Sequence, residues 1–180
     1  MDTKEAGMRL FHVSEENDIS IFQPRIPTRK DLDQKVGLVW AIADHRLSNF
    51  LTPRDCPRVG YHVGVNTTPE DRRKFFSGGR AVHGLAIEQG WLDRLRSTVL
   101  YLYEFSPEGF QLQDEAAGYY VARTAQKPVA KERIEDLLGE LVRRQIELRV
   151  IDELWDLAQE VKASTLDWSL CRMRLARPKS

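Results

Sequence analysis

The segment Leu10-Phe11-His12-Val13-Ser14 carries the side chains best suited to hold a ligand. If it is a strand, successive side chains turn to opposite faces, so His12 and Ser14 share one. A histidine at a strand end can donate from one ring nitrogen to a ligand hydroxyl or phosphate while backbone holds the other, and Ser14 can share that ligand. The same pattern also fits a half-buried histidine that only satisfies a nearby carbonyl.

The run Pro53-Arg54-Asp55-Cys56-Pro57-Arg58 is a second candidate. Two prolines stiffen its backbone. Arg54 and Arg58 present paired donors that match a carboxylate or phosphate. Asp55 pairing with either arginine would instead make a structural knot. Cys56, between charged residues, has the surroundings of a reactive thiol, but no local signature of a cysteine hydrolase accompanies it. A third cluster is aromatic: Tyr101, Tyr103, Tyr119 and Tyr120, with Glu104 and Glu115 the best-placed carboxylates. Phenols lining a cleft can stack a base or nicotinamide, and the alternative is ordinary strand packing. His12, His45, His62 and His83 show no helical pairing around a glutamate, so no metal site is expected from local spacing. No Gly-rich phosphate loop and no Gly-x-Ser-x-Gly elbow is present.

The elements that must position these residues are short. Strands are predicted at 9–13, 36–42, 59–65, 82–87, 98–105, 110–112, 118–122 and 148–151 from apolar runs and alternation. Thr68-Pro69-Glu70-Asp71 opens a helix with a capping hydroxyl, a proline in the first turn and acids after it. The spacing of Ile134, Leu137, Leu138, Leu141 and Val142 predicts an amphipathic helix over 131–144. Helices over 152–163 and 165–175 then end the chain. The expected fold is α+β: one domain over residues 8–176, with a mixed sheet of about five to seven short strands, short intervening helices and a helical C-terminal third. Residues 1–7 and 177–180 are expected to be flexible tails.

The 180 residues carry 27 basic and 27 acidic side chains, a balance that argues against coating nucleic acid through bulk charge. No stretch approaches the roughly 18 consecutive apolar residues of a membrane span. The N-terminus lacks the apolar core of a signal peptide, and Cys56 and Cys171 have no paired-ligand spacing. A cytoplasmic location with two free thiols is the expectation.

Leu10–Glu16, Val39–Ile42, Pro53–Arg58, Tyr103–Phe105 and Gly118–Val121 together resemble an uncharacterised bacterial family, a domain of unknown function. The resemblance runs from about Met8 to Ala176 and implies no catalytic residues. A looser resemblance is to the ADP-ribosyltransferase-like superfamily, carried by a first strand ending His-x-Ser and a Val-Trp-Ala-Ile strand leading into a helix. It implies that His12 contacts an NAD ribose and that Tyr61 stacks near the nicotinamide. The late-strand acid it also implies is replaced by Tyr119 and Tyr120, which argues against ordinary ADP-ribosyl transfer. The expectation is an NAD- or nucleotide-handling transferase-like enzyme, with NAD as a substrate. His12 and Ser14 would hold ribose or phosphate, Arg54 or Arg58 would neutralise phosphate, and Tyr61, Tyr103, Tyr119 or Tyr120 would stack. The alternatives are a non-catalytic module for a nucleotide or other small ligand, and a partner-binding protein that uses its C-terminal helices.

Overall fold

The structure is a computed structural model that describes residues 7–179. In chain order the elements are β1 (Leu10–Ser14), β2 (Val39–Ala43), a 3-10 segment (Asp44–Phe50), β3 (Arg58–His62), α1 (Pro69–Phe75), β4 (His83–Glu88), α2 (Leu92–Ser97), β5 (Leu100–Phe105), β6 (Gln111–Asp114), β7 (Tyr119–Ala122), β8 (Ala130–Ile134), α3 (Leu137–Arg143), β9 (Ile146–Ile151), α4 (Trp155–Ala163) and β10 (Asp167–Cys171). The chain divides into two compact units, Met1–Leu47 with Leu100–Arg133, and Ser48–Val99 with Ile134–Ser180.

The first unit is built on a six-stranded sheet in the order β6-β7-β2-β1-β5-β8. β1 lies antiparallel between β2 and β5, and β2 continues antiparallel to β7. Alternation puts Leu10, Ala43, Ala41, Val39, Phe105 and Ala122 on one face as an apolar cluster. Phe22 and Phe110 pack against that cluster. The segment carrying Phe22 is tied down by exchange of backbone hydrogen bonds with Gln126, and by a second pair between Arg25 and Leu38.

The second unit has a four-stranded sheet, β10-β3-β4-β9, with β9 parallel to β4 and the other pairs antiparallel. Its core gathers Val59, Tyr61, Phe75, Phe76, Ala86, Leu154, Leu157, Val161 and Leu166. α1 begins as expected: the Thr68 hydroxyl accepts the Asp71 N–H, with Pro69 as the first helical residue. The Asp71 carboxylate in turn accepts from the Thr165 hydroxyl and N–H, which hold it below the usual carboxylate range.

The α+β class stands, but the single sheet and the helical C-terminal third do not. Two sheets are present, and the C-terminal third holds β8, β9 and β10 between its helices. The expected helix over 131–144 starts only at Leu137, where the Asp136 side chain caps the Gly139 N–H. The preceding Ala130–Arg133 are exposed residues of an edge strand, so no apolar alternation marks them. The expected helix over 165–175 contains β10, whose backbone pairs with β3 from Asp167 opposite His62 to Cys171 opposite Arg58. Ladder pairing overrides the weak helical spacing there. The proposed tail at 1–7 lies, apart from Gly7, outside the described residues, as does Ser180. Arg177 is held: its N–H donates to Glu88 Oε1 at 2.9 Å and its carbonyl accepts from the Trp155 indole at 2.7 Å.

Candidate functional site

His12 sits where two strands part. β1 pairs with β2 at Leu10–Ala43 and Phe11–Ile42 and no further, whereas its pairing with β5 continues to Ser14–Tyr101. The carbonyl of Trp40, next along β2, instead meets the His12 ring, 3.5 Å from Nδ1. That is the long end of a hydrogen bond. The ring rests on Phe22, centroids 4.7 Å apart, and Phe22 stands edge-on to Tyr103. Burial lowers the imidazole below its ordinary pKa, and the charge of Arg25 pushes the same way; the Trp40 carbonyl and Glu16 oppose. His12 is therefore neutral at pH 7. With Nδ1–H donating to Trp40, Nε2 is a bare acceptor.

The neighbours of His12 have distinct tasks. Ser14 Oγ accepts the Glu16 N–H at 3.1 Å, closing a tight turn after the strand. Tyr103, only 1 % exposed, donates to the Glu16 carbonyl at 2.6 Å and accepts from the Ile19 N–H at 3.2 Å. It fastens the loop beyond β1 to the sheet and presents no ring face to a ligand. Tyr119 and Tyr120 point to opposite faces of β7. Tyr119 packs edge-on to Trp40, centroids 5.6 Å apart, whereas Tyr120 pairs with Ala41 and packs against the apolar cluster on the His12 face. Tyr101, opposite Ser14, has its phenol held below the usual range by bonds from Arg133 and Asn17, and the Lys131 ammonium stands 5.7 Å from its ring centre.

Arg54, Arg58 and Tyr61 belong to the second unit. The Pro53–Arg58 loop is stiff, as expected, with Asp55 in the left-handed region at φ 66° and Cys56 N–H bonded to the Pro53 carbonyl. Its buried arginine faces inward. Arg58 Nε donates to the Asn49 carbonyl at 2.6 Å and Nη1 to the Cys56 carbonyl at 2.9 Å, with the guanidinium over the Phe50 ring. Asp55 stands 3.7 Å from Arg172, and Arg54 is exposed. Cys56 is fully buried, and burial pushes its thiol up to about 12. It is a protonated packing residue at neutral pH. Tyr61 is wholly buried between Phe75, Phe76 and its cross-strand partner Gly84, where a Cβ would fall 2.2 Å from the tyrosine ring.

Sequence reasoning missed a buried polar network in this unit. His62 and His83 are partners in the β3–β4 register, their rings edge to face at 4.2 Å. The Asn49 amide bridges them, its Oδ1 2.9 Å from His83 Nε2 and its Nδ2 3.1 Å from His62 Nε2. The amide satisfies the pair only when His83 Nε2 carries a proton and His62 Nε2 does not, or the reverse after a flip. Gly60 makes room: a Cβ there would fall 2.3 Å from Asn49 Oδ1. The only signal was the two histidines themselves, which reveal nothing until the strand register is known.

Among the described residues no group of three or more His, Cys, Asp or Glu stands together as a metal site, and no helix is long and apolar enough to cross a membrane. A family model described as a family of unknown function (DUF6886) matches residues 11–176, and the chain belongs to that family. No curated protein and no solved structure matches it.

Proposed function

We propose that this family member is a binding protein for a nucleotide or NAD-type ligand, recognised at the open end of β1. The observation that supports the reading is the neutral His12 ring at the parting of β1 and β2, with one nitrogen turned to the Trp40 carbonyl. Its other nitrogen is an acceptor suited to a ribose hydroxyl. Ser14 keeps its own hydroxyl proton for the same ligand, because its Oγ accepts from Glu16. Arg25, whose charge is felt at His12, would supply the cation for a phosphate.

Binding without turnover fits these residues better than transfer. An ADP-ribosyltransferase-like reaction needs an aromatic ring over the nicotinamide and a late-strand acid. Tyr61 has no exposed face, and β7 carries Tyr119 and Tyr120 where the acid is implied. The setting that accompanies the reading is a bacterial cytoplasm, in which the free thiols of Cys56 and Cys171 stay reduced.

The test is calorimetry and thermal shift with NAD, NMP and ADP-ribose, beside an assay for released nicotinamide. The expected result is saturable binding that is lost in His12→Ala and no nicotinamide release. Release of nicotinamide would establish the transferase instead. The absence of any response at millimolar ligand would remove both readings.

A further inference from the structure

On the second unit, Arg72, Arg73, Phe76, Ser77, Gly78, Gly79 and Ala81 line an open depression of about 500 Å³. That is the size of a site for a small metabolite. Its lining holds two arginines and no carboxylate. Several arginines of the chain have carboxylate partners: Arg9 with Glu104, Arg143 and Arg144 with Glu140, Arg177 with Asp152. Lys74, on the same helix as Arg72 and Arg73, pairs with Glu160. Among the described residues, no carboxylate stands within ion-pair distance of Arg72, Arg73 or Arg80.

The turn beside them is already an oxyanion holder. The Ser77 N–H donates to both oxygens of Glu147, at 3.2 and 3.1 Å, and Ser77 Oγ donates to one of them at 2.9 Å. Glu147 is thus the negative group of the site, and its oxygens already have donors. The next two residues, Gly78 and Gly79, both have positive φ, 105° and 75°, with open space where a side chain would be. Among the described residues no acceptor meets the N–H groups of Gly78, Gly79 or Arg80. Successive backbone N–H groups in a glycine turn, flanked by guanidinium groups, are the elements of a phosphate cradle.

We infer that this depression binds the phosphate monoester of a small soluble metabolite. Phe76 supplies an apolar flank, and the site is independent of the reading at His12. The probe is ribose 5-phosphate, titrated into the full ¹⁵N-labelled chain, with ribose as the neutral control and phosphatidylcholine vesicles containing phosphatidic acid as the lipid source of the same group. Saturable shifts of the Gly78, Gly79 and Arg80 amides are expected in the millimolar range or below. In Arg72→Ala/Arg73→Ala the affinity falls at least tenfold, while the remaining amide spectrum shows the fold intact. Arg72→Lys/Arg73→Lys keeps charge but not the fork, and retains part of the binding. Equal response to ribose, an unchanged response in the alanine pair, or binding to the acidic vesicles alone would each overturn the inference.

Discussion

Gly60→Ala is the sharpest perturbation available to test the buried network. The added Cβ would lie 2.3 Å from Asn49 Oδ1 and 2.9 Å from its Cγ, so the amide must retreat by about an ångström to reach ordinary contact. It has nowhere to go. The Asn49 carbonyl is held by Arg58, and its side chain is fixed at both ends by His62 and His83. Overpacking of this kind costs about 1–3 kcal/mol. Breaking the two buried hydrogen bonds costs about 1–3 kcal/mol for each group left unsatisfied. Because these contributions overlap, a loss of about 3–5 kcal/mol is expected, offset slightly by the roughly 0.4–1 kcal/mol that Gly→Ala gains through the unfolded chain. Urea unfolding followed by tryptophan fluorescence and by far-UV dichroism measures it, with the m-value checked for constancy. Asn49→Ala removes the obstacle along with the bridge. In the double variant Gly60→Ala should therefore cost at least about 1.5 kcal/mol less than it does alone. A loss below about 1 kcal/mol for Gly60→Ala, or strict additivity with Asn49→Ala, would refute the network as the reason for the glycine.

Three further outcomes are expected. Cys56, with its thiol pushed up to about 12, should resist a thiol reagent at pH 8 in the native protein, while Cys171 reacts and both react in urea. His12 is depressed by burial, so the unfolded chain binds more protons over the window between its folded value and the unfolded value of about 6.5. Its contribution is complete above about pH 6.5 and is lost as the pH falls through the folded value; in His12→Asn that part of the pH dependence of unfolding should vanish. Removing the residues after Leu175 strips the Arg177 N–H from Glu88, which is only 6 % exposed, and should destabilise the chain by about 1–3 kcal/mol; Arg177→Ala keeps that N–H and should cost less.

What was legible in the sequence was whatever depended on local rules. The apolar runs at Val39–Ala43 and Leu100–Phe105, the Thr68 cap and the helix through Leu157 and Val161 follow from alternation, capping and helical spacing, and they form where expected. What depended on partners was not legible. Ala130-Lys131-Glu132-Arg133 carries no apolar face to betray an edge strand, and Asp167–Cys171 is a strand only because β3 lies beside it. The tyrosines show the same divide. Tyr103 and Tyr61 are both strand residues of suitable type for a site, yet one fastens a loop and the other fills a core. Their exposure is set by the cover each receives, which spacing cannot reveal.

The arginine loop illustrates how a rigid, chemically suggestive motif can serve the fold. Pro53 and Pro57 fix the backbone, the left-handed Asp55 turns it, and Arg58 donates to the Asn49 and Cys56 carbonyls. One consequence is that the Asn49 carbonyl is anchored beside the residue whose amide bridges two histidines that sit on paired strands. Substituting Arg58 would leave two buried carbonyls without a donor and loosen that bridge. A loss of ligand binding in Arg58→Ala would therefore report unfolding rather than a missing phosphate contact. His12 is the better probe. His12→Asn keeps a polar group near the Trp40 carbonyl but shortens the side chain and removes the imidazole acceptor, so it separates recognition from stability in a way that Arg58→Ala does not.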